Sequence, residues 1–110
     1  MYFEKTEDGT VEFTGIRFEE STIEMKTEKI ALDFDVIKNC RIEADEVIVT
    51  SSRCNDVIVS GSIIICNKLT VSEDTVLLME DLTIYADEVF GEIDGEEYSC
   101  IYTLAEYPKH

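Results

Sequence analysis

Residues 16–43 read IRFEEST (16–22), IEMKTEK (23–29), IALDFDV (30–36) and IKNCRIE (37–43). Ile16, Ile23, Ile30 and Ile37 recur every seven residues, and Phe18, Met25 and Leu32 follow the first three by two. A coiled coil would place its second apolar position three or four residues on, whereas residues i and i+2 share one face of a strand. β-Branched residues crowd these positions, which also favours strand. The repeating unit is therefore a short strand followed by a bend.

The spacing continues downstream. Bend-type residues recur at Asp45-Glu46, Ser51-Ser52, Ser60-Gly61, Asn67, Glu73-Asp74, Glu80-Asp81 and Asp87-Glu88, with short apolar strands such as VIV (57–59) and III (63–65) between them. RIEADEV (41–47) returns as TIYADEV (83–89), an offset of 42, or two turns of three seven-residue sides. Val36, Val57 and Leu78 fall 21 apart, as do Ile42, Ile63 and Ile84. Residues stacked in this way form the interior of a solenoid.

The expectation is a single all-β domain: a short three-sided parallel β-helix, right-handed, with about four coils of about 21 residues over 11–93. Residues 1–10 and 94–110 are its expected caps, the second carrying Tyr98, Tyr102 and Tyr107 either as cover for the last coil or as a contact surface. At about 4.8 Å per coil the body would be about 20 Å long. Its interior should hold Ile16, Phe18, Ile23, Met25, Ile30, Leu32, Ile42, Val47, Val49, Val57, Val59, Ile63, Ile65, Leu69, Val71, Val76, Leu78, Leu82, Ile84 and Val89. Ile37, Ile58, Leu77 and Met79 would then form an outward apolar stripe, covered by the N-terminal strand or by a second copy in a homodimer. An antiparallel β-sandwich is the rival fold; it accounts for the short strands but not for the offsets of seven and 21.

Composition narrows the function. Of 110 residues, 25 are Asp or Glu and nine are Lys or Arg, giving a net charge of −16. Such a surface repels phosphates, so direct binding of nucleic acid is not expected. No apolar run approaches the roughly 18 residues of a membrane span, and the opening MYFEKTEDGT lacks a charged-then-apolar signal pattern, so a cytoplasmic location is expected. Cys40, Cys54, Cys66 and Cys100 form no C-x-x-C pair and the only histidine is His110, which leaves no metal site and four free thiols. Adjacent acids on exposed bends do not face each other across a cleft, no D-x-[DN]-x-[DN]-G calcium loop or Gly-rich phosphate loop occurs, and no internal histidine can activate a nucleophile. Neither an enzyme nor a cofactor is expected.

Charge is unevenly placed. Residues 1–35 hold ten acids and four bases, 36–68 four of each, and 69–110 eleven acids and only Lys109. Solvated corners account for acidity in general, since charged corners keep strand edges from aggregating. They do not account for the exclusion of bases from 69–108, because mixed signs keep a surface soluble with less self-repulsion. A field of one sign steers association with a basic partner. The candidate partner-binding residues are Glu73, Asp74, Glu80, Asp81, Asp87, Glu88, Glu92, Asp94, Glu96 and Glu97. They point to a non-enzymatic binding protein that blocks a basic, nucleic-acid-binding surface as a phosphate-backbone mimic. In size and charge the chain resembles small acidic phage proteins that inhibit CRISPR or restriction enzymes, which implies that same role. The stretch IEADEVIVTSSRCNDVIVSGSIIICNKLTV (42–71) is similar to bactofilins, which implies the alternative of a self-assembling structural β-helix. Bactofilin repeats are rich in glycine, whereas only Gly61 and Gly91 lie between residues 16 and 94 here.

Overall fold

The alternation of apolar side chains resolves into three stacked columns of short strands in a computed structural model, which describes residues 2–95 and 99–108. The first side stacks residues 22–25 of β4 (Thr22–Asp33), 41–44 of β6 (Arg41–Thr50), β8 (Ile63–Ile65), β11 (Thr83–Tyr85) and β14 (Cys100–Tyr102). The second stacks β2 (Val11–Thr14), residues 29–33 of β4, 46–50 of β6, β9 (Lys68–Val71) and β12 (Glu88–Phe90). The third stacks β3 (Arg17–Glu19), β5 (Val36–Lys38), β7 (Asp56–Ser60), β10 (Val76–Glu80) and β13 (Glu92–Gly95). All these pairings are parallel; β1 (Tyr2–Lys5) alone runs antiparallel, folded onto β2 through the turn at Thr6–Thr10. The fold is a parallel β-solenoid of about five turns, one more than the sequence spacing suggests. A sandwich is excluded, because it needs antiparallel neighbours throughout.

Side chains stack in register through the interior. Ile23, Ile42, Ile64 and Ile84 form one buried ladder; Ile30, Val47 and Leu69 form a second; Phe18, Ile37 and Val59 form a third. Burying one such side chain stabilises the fold by about 1.5–3 kcal/mol, and here each is covered only by the rungs on either side. Small Ala44, Cys66 and Ala86 fill the first inner corner, where two sides converge. At the N-terminal end the lumen is filled by aromatics: Phe3 sits edge-on to Phe13 at 5.2 Å, Phe13 lies 6.4 Å from Phe18, and Phe18 stacks on Phe34 at 5.1 Å.

The coils are not of uniform length, and this corrects the interior expected from a strict 21-residue repeat. Successive rungs are 19 residues apart between Ile23 and Ile42, 22 between Ile42 and Ile64, and 20 between Ile64 and Ile84. The two-coil offset of 42 holds because 22 and 20 compensate, but the intermediate rung is Ile64, not Ile63. The corner between the second and third sides spans Ser51–Asn55, longer than its equivalent in the coils above and below, and this shifts the register. On the third side Val57 is therefore followed by Leu77, and Leu77 and Ile37 are fully buried core residues, not members of an outward stripe. Met79 also packs against the core. Val76 and Leu78 turn outward, so the outer apolar stripe consists of Val36, Ile58 and Leu78, in register. Ile63 is likewise only half-buried, and Ile16, at a corner, is 58% exposed. Ile65 is buried but faces outward, in register with Tyr85, beneath the C-terminal segment.

Two measurements test this arrangement. Ile64→Ala should cost about 2–5 kcal/mol in denaturant unfolding, while Ile63→Ala costs about 1 kcal/mol or less; equal costs would contradict the register. All four cysteines are free, with Cys40 and Cys66 buried and Cys54 and Cys100 exposed. Burial pushes the Cys66 thiol up to about 12 and that of Cys40 above its ordinary value. A thiol reagent at pH 8 should therefore label Cys54 and Cys100 in the folded protein and all four only after unfolding.

Candidate interaction surface

The acidic pairs follow from what the corners demand of the backbone. Between the third and first sides, Glu20, Asn39, Gly61 and Asp81 stack with φ of 54°, 53°, 56° and 51°, the left-handed region. Asn and Asp tolerate it better than most residues, and glycine pays no steric penalty. Asn39 Nδ2 donates to Glu20 Oε1 at 2.8 Å. A Cβ on Gly61 would lie 2.3 Å from Asn39 Oδ1, so a side chain at this rung would displace the Asn39 carboxamide, and glycine avoids that shift. Asp81 is thus a corner residue first, with its carboxylate in solvent.

Between the first and second sides, Asn67 Nδ2 donates to Asp45 Oδ1 at 2.6 Å, and the Asp87 amide donates to the Asn67 carbonyl at 3.1 Å. Asp45 and Asp87 do share one edge two coils apart. The Asp87 carboxylate accepts the Leu104 amide at 3.0 Å, which fixes the start of the C-terminal segment. Between the second and third sides, Glu73 and Asp74 occupy the centre of a turn closed by the Thr75 amide on the Ser72 carbonyl at 2.9 Å. Glu92 and Asp94 alternate with inward Ile93 on β13, so both point outward.

The acids expected to act together are therefore spread around the solenoid. The pairs at 73–74, 80–81 and 87–88 sit on three different corners, and they form a girdle around the last two coils instead of a single face. Glu80 and Asp94 do come together, lining a hollow of about 200 Å³ on the third side with Ile58 and Leu78. Glu96 and Glu97, and also Tyr98, lie outside the described residues.

Ion pairs between described residues are confined to the part of the chain before this girdle, where they take up six of the fourteen acids. Among the described residues, every ion pair uses an acid at or before Glu46, for example Arg41–Glu43 at 3.4 Å and Lys68–Glu46 at 3.8 Å. Lys29, Glu46, Lys68 and Glu88 stand in register on the second side as a ladder of alternating sign. The nine described acids between Leu69 and Pro108 are all exposed, and none is ion-paired among the described residues.

The C-terminal segment packs on Tyr85 and Arg41, which sequence reasoning did not single out. After β14 the chain turns back along the outside of the first side through a short 3-10 helix (Leu104–Glu106). Tyr107 meets Tyr85 edge-on at 5.1 Å, Tyr102 stacks on Tyr85 at 5.2 Å, and the Arg41 guanidinium donates to the Tyr107 hydroxyl. That hydrogen bond holds the Arg41 pKa above its ordinary value. Tyr102 and Tyr107 thus cover the outer wall of the first side and not the end of the last coil. The segment and the wall enclose an open groove of about 710 Å³. Apart from Asp87, its charged side chains are already matched, Lys26 with Glu24 and Glu43, Arg41 with Glu43. The only signal for this packing in the sequence is the clustering of tyrosines near the C-terminus. Tyr107→Ala should speed hydrogen exchange at residues 104–107 and leave the exchange of the core strands unchanged; slowing or loss of protection throughout would assign Tyr107 a role in the solenoid itself.

No family model matches the chain, and no curated protein or solved structure matches it.

Proposed function

We propose that this protein is a non-enzymatic binding protein whose acidic C-terminal girdle occupies a basic, nucleic-acid-binding surface of another protein, as an anti-CRISPR or anti-restriction inhibitor would. The observation that carries the reading is the complete lack of ion-pair partners among the nine described carboxylates after Leu69, where six of the fourteen before it are paired among the described residues. Unpaired charge of one sign costs self-repulsion and is useful where an opposite charge arrives. Glu73, Asp74, Glu80, Asp81, Asp87, Glu88, Glu92 and Asp94 fall within two coils, roughly 10 Å of axis. Duplex DNA carries about one charge per 1.7 Å of axis, so the density is comparable. The mimicry is of charge density and not of a straight phosphate row, because the carboxylates project from three corners.

Self-assembly, the alternative, would stack one solenoid end on another. Residues 1–35 are net −6 and residues 69–110 net −10, so the two ends repel. The phenylalanine-filled N-terminal coil, folded over by β1, also offers a poor continuation for the ladder.

The test is capture from lysate at low and high salt, with duplex DNA as competitor. Bound proteins should be nucleic-acid-binding and released by salt and by DNA. The combined variant Glu73→Lys, Asp74→Lys, Glu92→Lys, Asp94→Lys should weaken capture at least about fourfold, as four exposed pairs worth about 0.2–1 kcal/mol each would require. Capture that survives both DNA and charge reversal would refute the reading.

A further inference from the structure

The C-terminal end of the solenoid is a cross-section through its core. Among the described residues β12, β13 and β14 each have one strand neighbour and present a free edge. Ile101 continues the ladder Ile23–Ile42–Ile64–Ile84 but is 47% exposed, whereas the four rungs before it are buried. Val89, above Leu69, and Ile93, above Leu77, are likewise only half-buried, and Phe90 is 49% exposed. In β14 the Cys100 amide donates to the Leu82 carbonyl at 3.0 Å and the Tyr102 carbonyl accepts the Ala86 amide at 2.9 Å. The alternation of a parallel ladder then turns the N–H and C=O of the intervening Ile101 towards the open edge.

We infer that this end is a docking surface for an extended, basic segment of the partner protein, which adds a strand beside β14 and supplies the next rung of the core. The inference rests on the acidic-binding reading for the sign of the partner and goes beyond it in placing the contact at the end of the coil stack. The occupant's pattern follows from the strand period of two. The residue above Ile101 must be apolar, and its neighbours, which lie over Cys100 and Tyr102 on the outer face of the first side and run towards the acidic corner at Asp87 and Glu88, must be basic. A second copy of this chain does not fit, because its own ends carry the same sign.

The test uses the full chain and three peptides: acetyl-Lys-Val-Lys-Val-Lys-Val-amide, the same peptide N-methylated at alternate residues, and oligolysine of equal length. The alternating peptide should shift the NMR signals of Val89, Phe90, Ile93 and Ile101 and bind at least tenfold tighter than its N-methylated form, which cannot complete the ladder. Phe90→Ser with Ile101→Ser should remove that advantage; both residues are exposed, and the comparison of peptides on the unsubstituted chain stands even if this variant folds poorly. Equal binding of all three peptides would overturn strand addition while leaving the acidic reading intact. No binding of any peptide, oligolysine included, would overturn both. Dimerisation at high salt that is lost in the Phe90, Ile101 variant would overturn the assignment by making a second copy the occupant.

Discussion

In-register stacking of parallel coils about 4.8 Å apart is the constraint on which this molecule depends. A single coil has almost no interior, since three short strands enclose only a few inward side chains. Ile42 is fully buried because Ile23 and Ile64 lie on either side of it, not because its own coil encloses it. The same dependence makes the two ends different in kind from the middle. The N-terminal end meets it with bulk: Phe13, Phe18 and Phe34 fill the lumen and Phe3 of β1 packs on them. Among the described residues no comparable cluster stands over Ile101, which is exposed.

Corners carry the second constraint. The turns must supply left-handed backbone and hydrogen-bond the coil above, which selects Asn, Asp, Ser and Gly over apolar residues. Carboxylates therefore gather at corners for reasons of fold, and Asp81 and Asp87 each have a structural reason to be acidic. What the fold does not demand is the absence of compensation. Lys68 sits between Glu46 and Glu88 on the second side, and Lys26 and Arg41 share Glu43 on the first. Nothing in the geometry of the last two coils prevents a lysine at an equivalent outward position, such as Thr83 in register with Ile63 and Arg41.

The seven-residue spacing of Ile23, Ile30 and Ile37 made the three sides legible, because each isoleucine opens one side of the same coil. The matching ADEV segments made the two-coil offset legible for the same reason. The register within that offset was not, because coil length is set by the Ser51–Asn55 corner, and a corner can gain residues without disturbing any strand pattern. One residue of slip exchanges inside for outside in a strand, which is why Ile37 and Leu77 belong to the core and Val36 and Leu78 do not. The path of the C-terminal segment was equally hidden, since the Arg41–Tyr107 contact joins residues 66 apart with no periodic signature. For the acidic site, the residues were legible from charge alone, but their disposition around three corners required the coils to be placed.

Girdle and open end are best understood together. An exposed cross-section of core is a template for edge pairing, and proteins commonly protect such edges with charge. Acids of one sign around the edge do this selectively. They oppose a second copy of the same chain, whose ends are also acidic. The one class of segment they favour is extended and basic. Screening follows from the same geometry: at physiological salt the Debye length is about 8 Å, less than the width of the solenoid, so a carboxylate acts mainly on what meets its own corner. A partner that approaches the flank engages one corner at a time. In the proposed complex a strand seated beside β14 meets the corner at Asp87 and Glu88, where the charge of the girdle and the exposed rung at Ile101 share one surface.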